Sequence, residues 1–324
     1  MMKEIIPPVP RELLEAELTA EKFQRKTNKA DNEIYILTYF DSPNLMREIG
    51  RLRELTFRSA GGGIGEELDI DQYDYSETHP YQQLIVWDPA NKEILGGYRF
   101  IYCNGIKKDS NGEIPLATAH LFNFSDKFIE DYLPSVIELG RSFVQPDYQS
   151  TKVGAKALFA LDNLWDGLGA LMIDYPDVKY YFGKVTMYTH YNQEARNLIL
   201  YFFSKFFSDP DHLVWAKKPM TYNADLLKLK ELFDGKSYDE AYKILSHEVR
   251  KLGENIPPLI NAYMSLTPNM RTFGTAISDE FGDVEETGIL LSIEDMYDIK
   301  IDRHVSSYLE ELFEKQDNPK MRFQ

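Results

Sequence analysis

The order of apolar segments in this chain predicts an α+β fold, an α/β sandwich with helices flanking a mixed central sheet. Three observations predict it. Strand-like and helix-like segments alternate from Ile34 to Phe207. Two neighbouring strand-like runs are joined by a short turn, the mark of a hairpin. Finally, 43% of the 324 residues are hydrophobic and 13% aromatic, enough for a sizeable core and against global disorder.

The elements follow in order. Three prolines (Pro7, Pro8, Pro10) lead into Arg11 to Leu18, an arm running into a short amphipathic helix, with packing onto the core as its expected role. Ile34 to Phe40 is rich in strand formers. Asp41-Ser42-Pro43 then supplies a cap and a first-turn proline, and Leu45, Ile49, Leu52 and Leu55 continue at helical spacing. Gly61-Gly62-Gly63-Ile64-Gly65 reads as a flexible loop before acidic residues 66 to 74. Gln83 to Trp87 and Ile94 to Tyr102 form the hairpin, with Pro89-Ala90-Asn91-Lys92 as its turn. Ile137 to Val144 is a further strand. Helices are expected through Ala157, Leu161, Leu164, Leu168 and Leu171 and from Glu194 to Phe207, with a strand from Val178 to Met187 between them. Beyond Pro219 come a helix from Tyr238 to Leu252, strands at Thr272 to Ile277 and Gly288 to Ile293, and a last helix through Val305, Tyr308, Leu309 and Leu312. No repeat of fixed period occurs. The expected organisation is an arm and helix over residues 1–30, a core over 31–220 and an extension over 221–324.

Charge narrows the function. With 36 basic and 52 acidic residues the net charge is −16, which disfavours nucleic-acid binding and unassisted binding to anionic lipid. Lys152, Lys156, Lys179, Lys184, Arg196, Lys205, Lys217 and Lys218 concentrate positive charge in the middle third, either a patch for an acidic partner or phosphate, or ordinary solvated helix faces. The single cysteine, Cys103, permits no intramolecular disulfide, and no apolar run reaches spanning length. A cytoplasmic protein is expected, with peripheral membrane contact open.

Several chemistries lack their signatures. There is no G-x-S-x-G elbow, no Walker A sequence and no G-x-G-x-x-G, and the six histidines show no H-x-x-x-H spacing, so no metal is expected. What remains is a set of arginines and acids beside apolar strands. Arg53 and Phe57 lie one helical turn apart. Asp69, Asp71 and Asp74 cluster, Arg99 ends Gly96-Gly97-Tyr98-Arg99, and Glu138 and Arg141 share one apolar strand. In a strand, residues three apart point to opposite faces unless a bulge intervenes. Such a set is either structural ion pairing or a site for an amine that must lose a proton and a carboxylate that an arginine can grip.

The series Arg53-x-x-x-Phe57, Asp71-x-Tyr73-Asp74, Gly96-x-x-Arg99 and Glu138-Leu139-Gly140-Arg141-Ser142-Phe143-Val144 resembles the acyl-homoserine-lactone (autoinducer) synthases. It more closely resembles the hemolysin-type N-acyltransferases that make ornithine and glycine aminolipids, which share a fold related to the Gcn5-type (GNAT) acetyltransferases. Ile256 to Tyr263 and Phe273-Gly274-Thr275-Ala276-Ile277 resemble the aminolipid branch. The resemblance spans residues 34 to 295. It implies transfer of a long, 3-hydroxylated or plain, acyl chain from acyl carrier protein to the α-amine of an amino acid of the glycine or ornithine class.

On that resemblance, Glu138 would assist deprotonation of the amine through a water and Arg141 would orient it. Arg53, Phe57, Asp71, Asp74 and Arg99 would shape the acceptor end. Ser142, Phe143, Val144, Lys152 and Gly154 would meet the phosphopantetheine thioester, with backbone N–H groups freed by a bulge near Val144 facing the oxyanion. Two departures stand out. Gln82-Gln83 replaces an Asp-His of the family pattern. In Gln149 to Ala155, Lys152 replaces the first glycine of the Q/R-x-x-G-x-G/A phosphate loop. Lys152 is suited to the carrier's phosphate; acetyl-CoA as donor to a small amine is the alternative, and a non-catalytic acyl-carrier- or lipid-binding relative is another. The apolar helices at Leu158 to Leu171 and Leu198 to Phe207 would line an acyl tunnel or simply form core.

Overall fold

The computed structural model describes residues 2–149, 155–221 and 224–317. The chain opens with α1 (Arg11–Glu15), β1 (Phe23–Lys26), β2 (Glu33–Leu37), α2 (Pro43–Ser59), β3 (Gln82–Asp88) and β4 (Glu93–Tyr102). Then come β5 (Phe122–Phe124), β6 (Val136–Val144), α3 (Ala155–Asp174), β7 (Tyr180–Met187), α4 (Gln193–Phe206) and β8 (Val214–Ala216). The rest holds α5 (Leu226–Phe233), α6 (Tyr238–Lys251), α7 (Pro258–Met264), β9 (Arg271–Ser278), β10 (Val284–Ser292), α8 (Asp298–Ile301) and α9 (Ser307–Asp317). The α+β class is as the sequence predicts. The short strands β1, β5 and β8 were not legible in the apolar pattern.

These elements form two compact units. The first comprises Met1–Tyr102, Ile137–Val178 and Met296–Gln324, and the second Cys103–Val136 and Lys179–Asp295.

In the first unit the strands run in the order β1-β2-β3-β4-β6 with antiparallel neighbours. Helices cover both faces, for a reason readable in two adjacent residues. Gln83 bonds Arg53 of α2, whereas a side chain at Gly167 of α3 would run into Leu84. Successive strand residues point to opposite faces, so α2 and α3 lie on opposite sides of the sheet. On α2, Leu45, Ile49 and Leu52 are buried as expected, but Leu55 is 36% exposed because it falls on the outer side of the helix. The N-terminal arm packs, as expected: Val9 N donates to Glu48 Oε2 at 3.0 Å and Lys3 N to Gly65 O at 2.8 Å.

The glycine-rich loop is tied down where flexibility was expected. It wraps the buried Glu54 carboxylate, which accepts from Ile64 N (3.1 Å), Gly65 N (2.9 Å) and Arg58 Nη2 (2.6 Å). Gly63, at φ +90°, supplies the left-handed turn that aims the loop at that carboxylate.

The second unit holds β7-β10-β9, again antiparallel, and the separate pair β5-β8. Phe202 of α4 packs against Phe233 of α5 and Tyr238 of α6, with ring centroids 5.9 and 5.7 Å away, and Phe207 lies 5.7 Å from Tyr238. In the first unit Leu164, Leu168 and Leu171 of α3 are fully buried. Both apolar helices thus contribute to packed cores. Lys184, Arg196, Lys205 and Lys217 pair with Glu286, Glu285, Asp234 and Glu113, so these members of the basic middle third are neutralised locally.

Candidate active site

The site begins with a fault in strand pairing. Gly97 pairs with Phe143 and Arg99 with Gly140, so Arg141 and Ser142 of β6 together face Tyr98 of β4. This is a β-bulge, and Arg141 takes its strain at φ +47°, a conformation that costs a non-glycine residue about 1–3 kcal/mol. The bulge lies at Arg141–Ser142, slightly before the expected position near Val144. It also answers the spacing problem: Arg141 is itself a bulge residue, so the alternation breaks at it and its side chain reaches Asp69 and Asp71 on the face that Arg99 serves. Gly96 and Gly97 keep β4 close to its neighbours. A Cβ at Gly96 would run into Phe143 O, and one at Gly97 would come within 2.7 Å of Leu84 O.

On that face the first unit brings together the nominated Arg53, Asp71, Asp74, Arg99 and Arg141. Asp74, fully buried, is the hub. It accepts from Arg53 Nη1 (3.2 Å), Arg99 Nη1 (3.3 Å), Gln83 Nε2 (2.9 Å) and Asp71 N (3.1 Å). Arg99 also bonds Asp71 Oδ1 at 2.6 Å, and Arg141 reaches Asp69 Oδ2 at 2.8 Å and Asp71 Oδ2 at 3.4 Å. Three arginines therefore meet three aspartates beside the bulge. Phe57, one turn after Arg53, is buried on the same helix, and Phe143 is buried against Gly97. Lys152 and Gly154 lie outside the described residues.

The electrostatics follow from burial and proximity. Burial pushes the Asp69 carboxyl upward from its ordinary value, against the pull of Arg141, Arg53 and Arg99. For Asp71 burial also pushes up, but the charges of Arg99 and Arg141 outweigh it and hold the group well below the usual carboxylate range. Burial lowers Arg53, which Asp74 and Asp69 offset only in part, whereas Asp74 and Asp71 more than offset burial at Arg99 and raise it.

Glu138, 1% exposed, accepts a hydrogen bond from the Tyr81 hydroxyl at 3.0 Å. Tyr81 and Tyr73 meet edge to face, with centroids 5.8 Å apart, and the Arg99 guanidinium lies over both rings, 5.1 Å from Tyr81 and 5.6 Å from Tyr73. Tyr81 is the part of the constellation that no sequence motif singled out; Asp69, Tyr73 and Gln83 stood in the acidic cluster, the motif series and its departure without an assigned role. Gln83 has a definite role. Its amide oxygen accepts from Arg53 while its nitrogen donates to Asp74, so Gln83 bridges acid and arginine.

A buried acid beside a strained strand bulge, in an arginine-rich polar cluster, is suited to deprotonating an amine and holding an anionic acceptor. Residues 52–158 match the acetyltransferase (GNAT) domain, and they contain all of these groups. Two relatives, both described as glycine N(alpha)-acyltransferase, extend the likeness to almost the whole chain. The protein from Phocaeicola vulgatus is 56% identical over 310 residues, 96% of this chain and 95% of the relative. The one from Bacteroides thetaiotaomicron is 57% identical over 309 residues, covering 95% and 91%. The chain belongs to this N-acyltransferase family. It is therefore an N-acyltransferase carrying a GNAT domain, and the α+β fold is that domain's. Among the described residues no group of three or more His, Cys, Asp or Glu side chains is placed to hold a metal ion, and no helix is long and apolar enough to cross a membrane.

Proposed function

We propose that this enzyme transfers a long fatty acyl group from a thioester to the α-amine of glycine, with acyl carrier protein as the donor's carrier. The observation that carries the acceptor is the identity of more than half of all residues to two glycine N(α)-acyltransferases along nearly full length. Glycine's ammonium must lose a proton before it can attack. Glu138 takes that proton; the amine nitrogen then bonds the thioester carbonyl carbon, the C–S bond breaks, and the nitrogen's second proton passes to the departing thiolate. The products are an N-acylglycine and the free carrier thiol. Arg141 and Arg99, held in place by Asp69, Asp71 and Asp74, present guanidinium N–H groups at the acceptor end for glycine's carboxylate. Backbone N–H groups at the Arg141–Ser142 bulge face the developing oxyanion, with Ser142, Phe143 and Val144 along the thioester. Lys152 and Gly154 meet the phosphopantetheine phosphate. The product is amphiphilic, which suits release to a membrane surface and a place in aminolipid synthesis.

Mass spectrometry of total lipids from cells expressing the chain, with and without Glu138→Gln, tests this. N-acylglycines that appear with wild type and vanish with the variant are expected. Acylation of ornithine alone, or acetylation of a small amine alone, would overturn the acceptor or the acyl-length assignment. For the donor, Lys152→Glu is expected to raise the apparent KM for the acyl carrier thioester and leave that for glycine unchanged. An unchanged donor KM removes the phosphate role from Lys152.

A further inference from the structure

We infer that Tyr81 is a positioning residue for Glu138, holding the carboxylate ionised and fixed in orientation for the incoming amine. This deepens the preceding reading and rests on Glu138 acting as the base. The geometry is specific. Tyr81 is fully buried, its hydroxyl donates to Glu138 Oε2 at 3.0 Å, and its backbone N donates to Tyr73 O at 2.9 Å. Its ring is gripped on two sides, by Tyr73 at 5.8 Å and by the Arg99 guanidinium at 5.1 Å. Arg99 is itself anchored on Asp71 at 2.6 Å, so the arginine-aspartate cluster sets where the Tyr81 hydroxyl points.

A phenol that donates to a carboxylate favours its ionised form, the only form that accepts the amine proton, and so opposes the burial of Glu138. Tyr81 bonds that carboxylate and Tyr73 feels its charge, both from the segment preceding β3, and Arg99 of β4 lies over both rings. Of these, Tyr81 makes a direct hydrogen bond that can be removed with a single oxygen atom and no change of ring volume. The stretch His79-Pro80-Tyr81 gives no sign of this in sequence, because the direction of a side chain entering a strand is set by tertiary packing.

The test is Tyr81→Phe in the full-length enzyme, assayed with glycine and a long-chain acyl carrier thioester across pH. The expected result is a kcat about tenfold lower, an unchanged KM for the donor, and an acid limb of kcat/KM moved up by about one pH unit, the loss of one charge-assisted hydrogen bond. In a Glu138→Gln background the same substitution should cost nothing further. 3-Fluorotyrosine at position 81, a stronger donor with the ring retained, should move the acid limb down and keeps the test open if Tyr81→Phe folds poorly. An acid limb unmoved by either change, with Glu138→Gln still crippled, overturns the role of Tyr81 alone. Wild-type turnover by Glu138→Gln would instead overturn the general-base reading on which it rests.

Discussion

The first unit buries two ionic networks, and they differ in a way that separates structure from function. One joins β1, α3 and the segment before α9. Arg25 donates from Nε to Lys26 O (2.9 Å), from Nη1 to His304 O (3.1 Å) and from Nη2 to Asn28 Oδ1 (2.7 Å). Asp166 accepts from Asn28 N (2.8 Å), Asn28 Nδ2 (2.9 Å) and His304 Nδ1 (2.7 Å). Every nitrogen of that arginine has a partner. The other network, around Asp74, leaves Arg53 Nε and Arg99 Nε buried with no hydrogen-bond partner among the described residues, and abuts a bulge with a strained Arg141. Buried charge alone therefore does not mark a site in this protein. What distinguishes the Asp74 network is that its own arginines keep buried Nε groups without partners and that it abuts the bulge of β6.

The two networks differ most in catalysis. Glu138→Gln is expected to lower kcat by ~10²–10⁴, the usual cost of removing a general base, with an unchanged melting profile. Next in size, Arg53→Met deprives the fully buried Asp74 carboxylate of one of its two arginines and should cost ~3–5 kcal/mol in denaturant unfolding. The Arg25 network gives the opposite split. Asp166→Ala leaves Asn28 and His304 donors without their acceptor and should cost ~2–4 kcal/mol, yet change activity per folded molecule less than twofold. If that variant lost turnover in proportion to Glu138→Gln, the division between the two networks would be wrong.

The smallest effect sharpens the comparison through pH. Asp71 is held well below the usual carboxylate range in the folded state. Its stabilising contribution is complete above about pH 4, where the unfolded side chain is ionised. It is lost as pH falls through the lower folded value, because the unfolded chain then binds the proton first. Asp71→Asn should therefore destabilise the protein by ~1–2 kcal/mol at pH 7, and the gap to wild type should shrink in acid. Urea unfolding at pH 7 and in stronger acid measures it; a gap that widens in acid contradicts the assigned sign.

Much of this site was legible because charged residues in apolar segments are costly and so informative. Arg53, Arg99, Glu138 and Arg141 all interrupt buried patterns, and all converge with Asp71 and Asp74. The partners that remained hidden depend on register. Counting outward from the Asp88–Glu93 pair without a slip places Gln83 opposite Tyr98. The bulge between Val86 and Trp87 instead sets Gln83 opposite Arg99, on the site's face. No residue in Leu84 to Ile94 announces that slip. Strand β1 was missed for a related reason: Phe23-Gln24-Arg25-Lys26 buries Arg25 where an apolar residue would be expected. Leu55 misled in the other direction, being at helical spacing but on the exposed side.

The most direct measurement of the central claim is formation of N-acylglycine by purified protein from a long-chain acyl carrier thioester and isotopically labelled glycine, wild type beside Glu138→Gln. Wild type should give labelled N-acylglycine, and the variant, melting at the same temperature, a rate at least tenfold lower. Equal rates from the two proteins, or label in no acylated product, would contradict the claim.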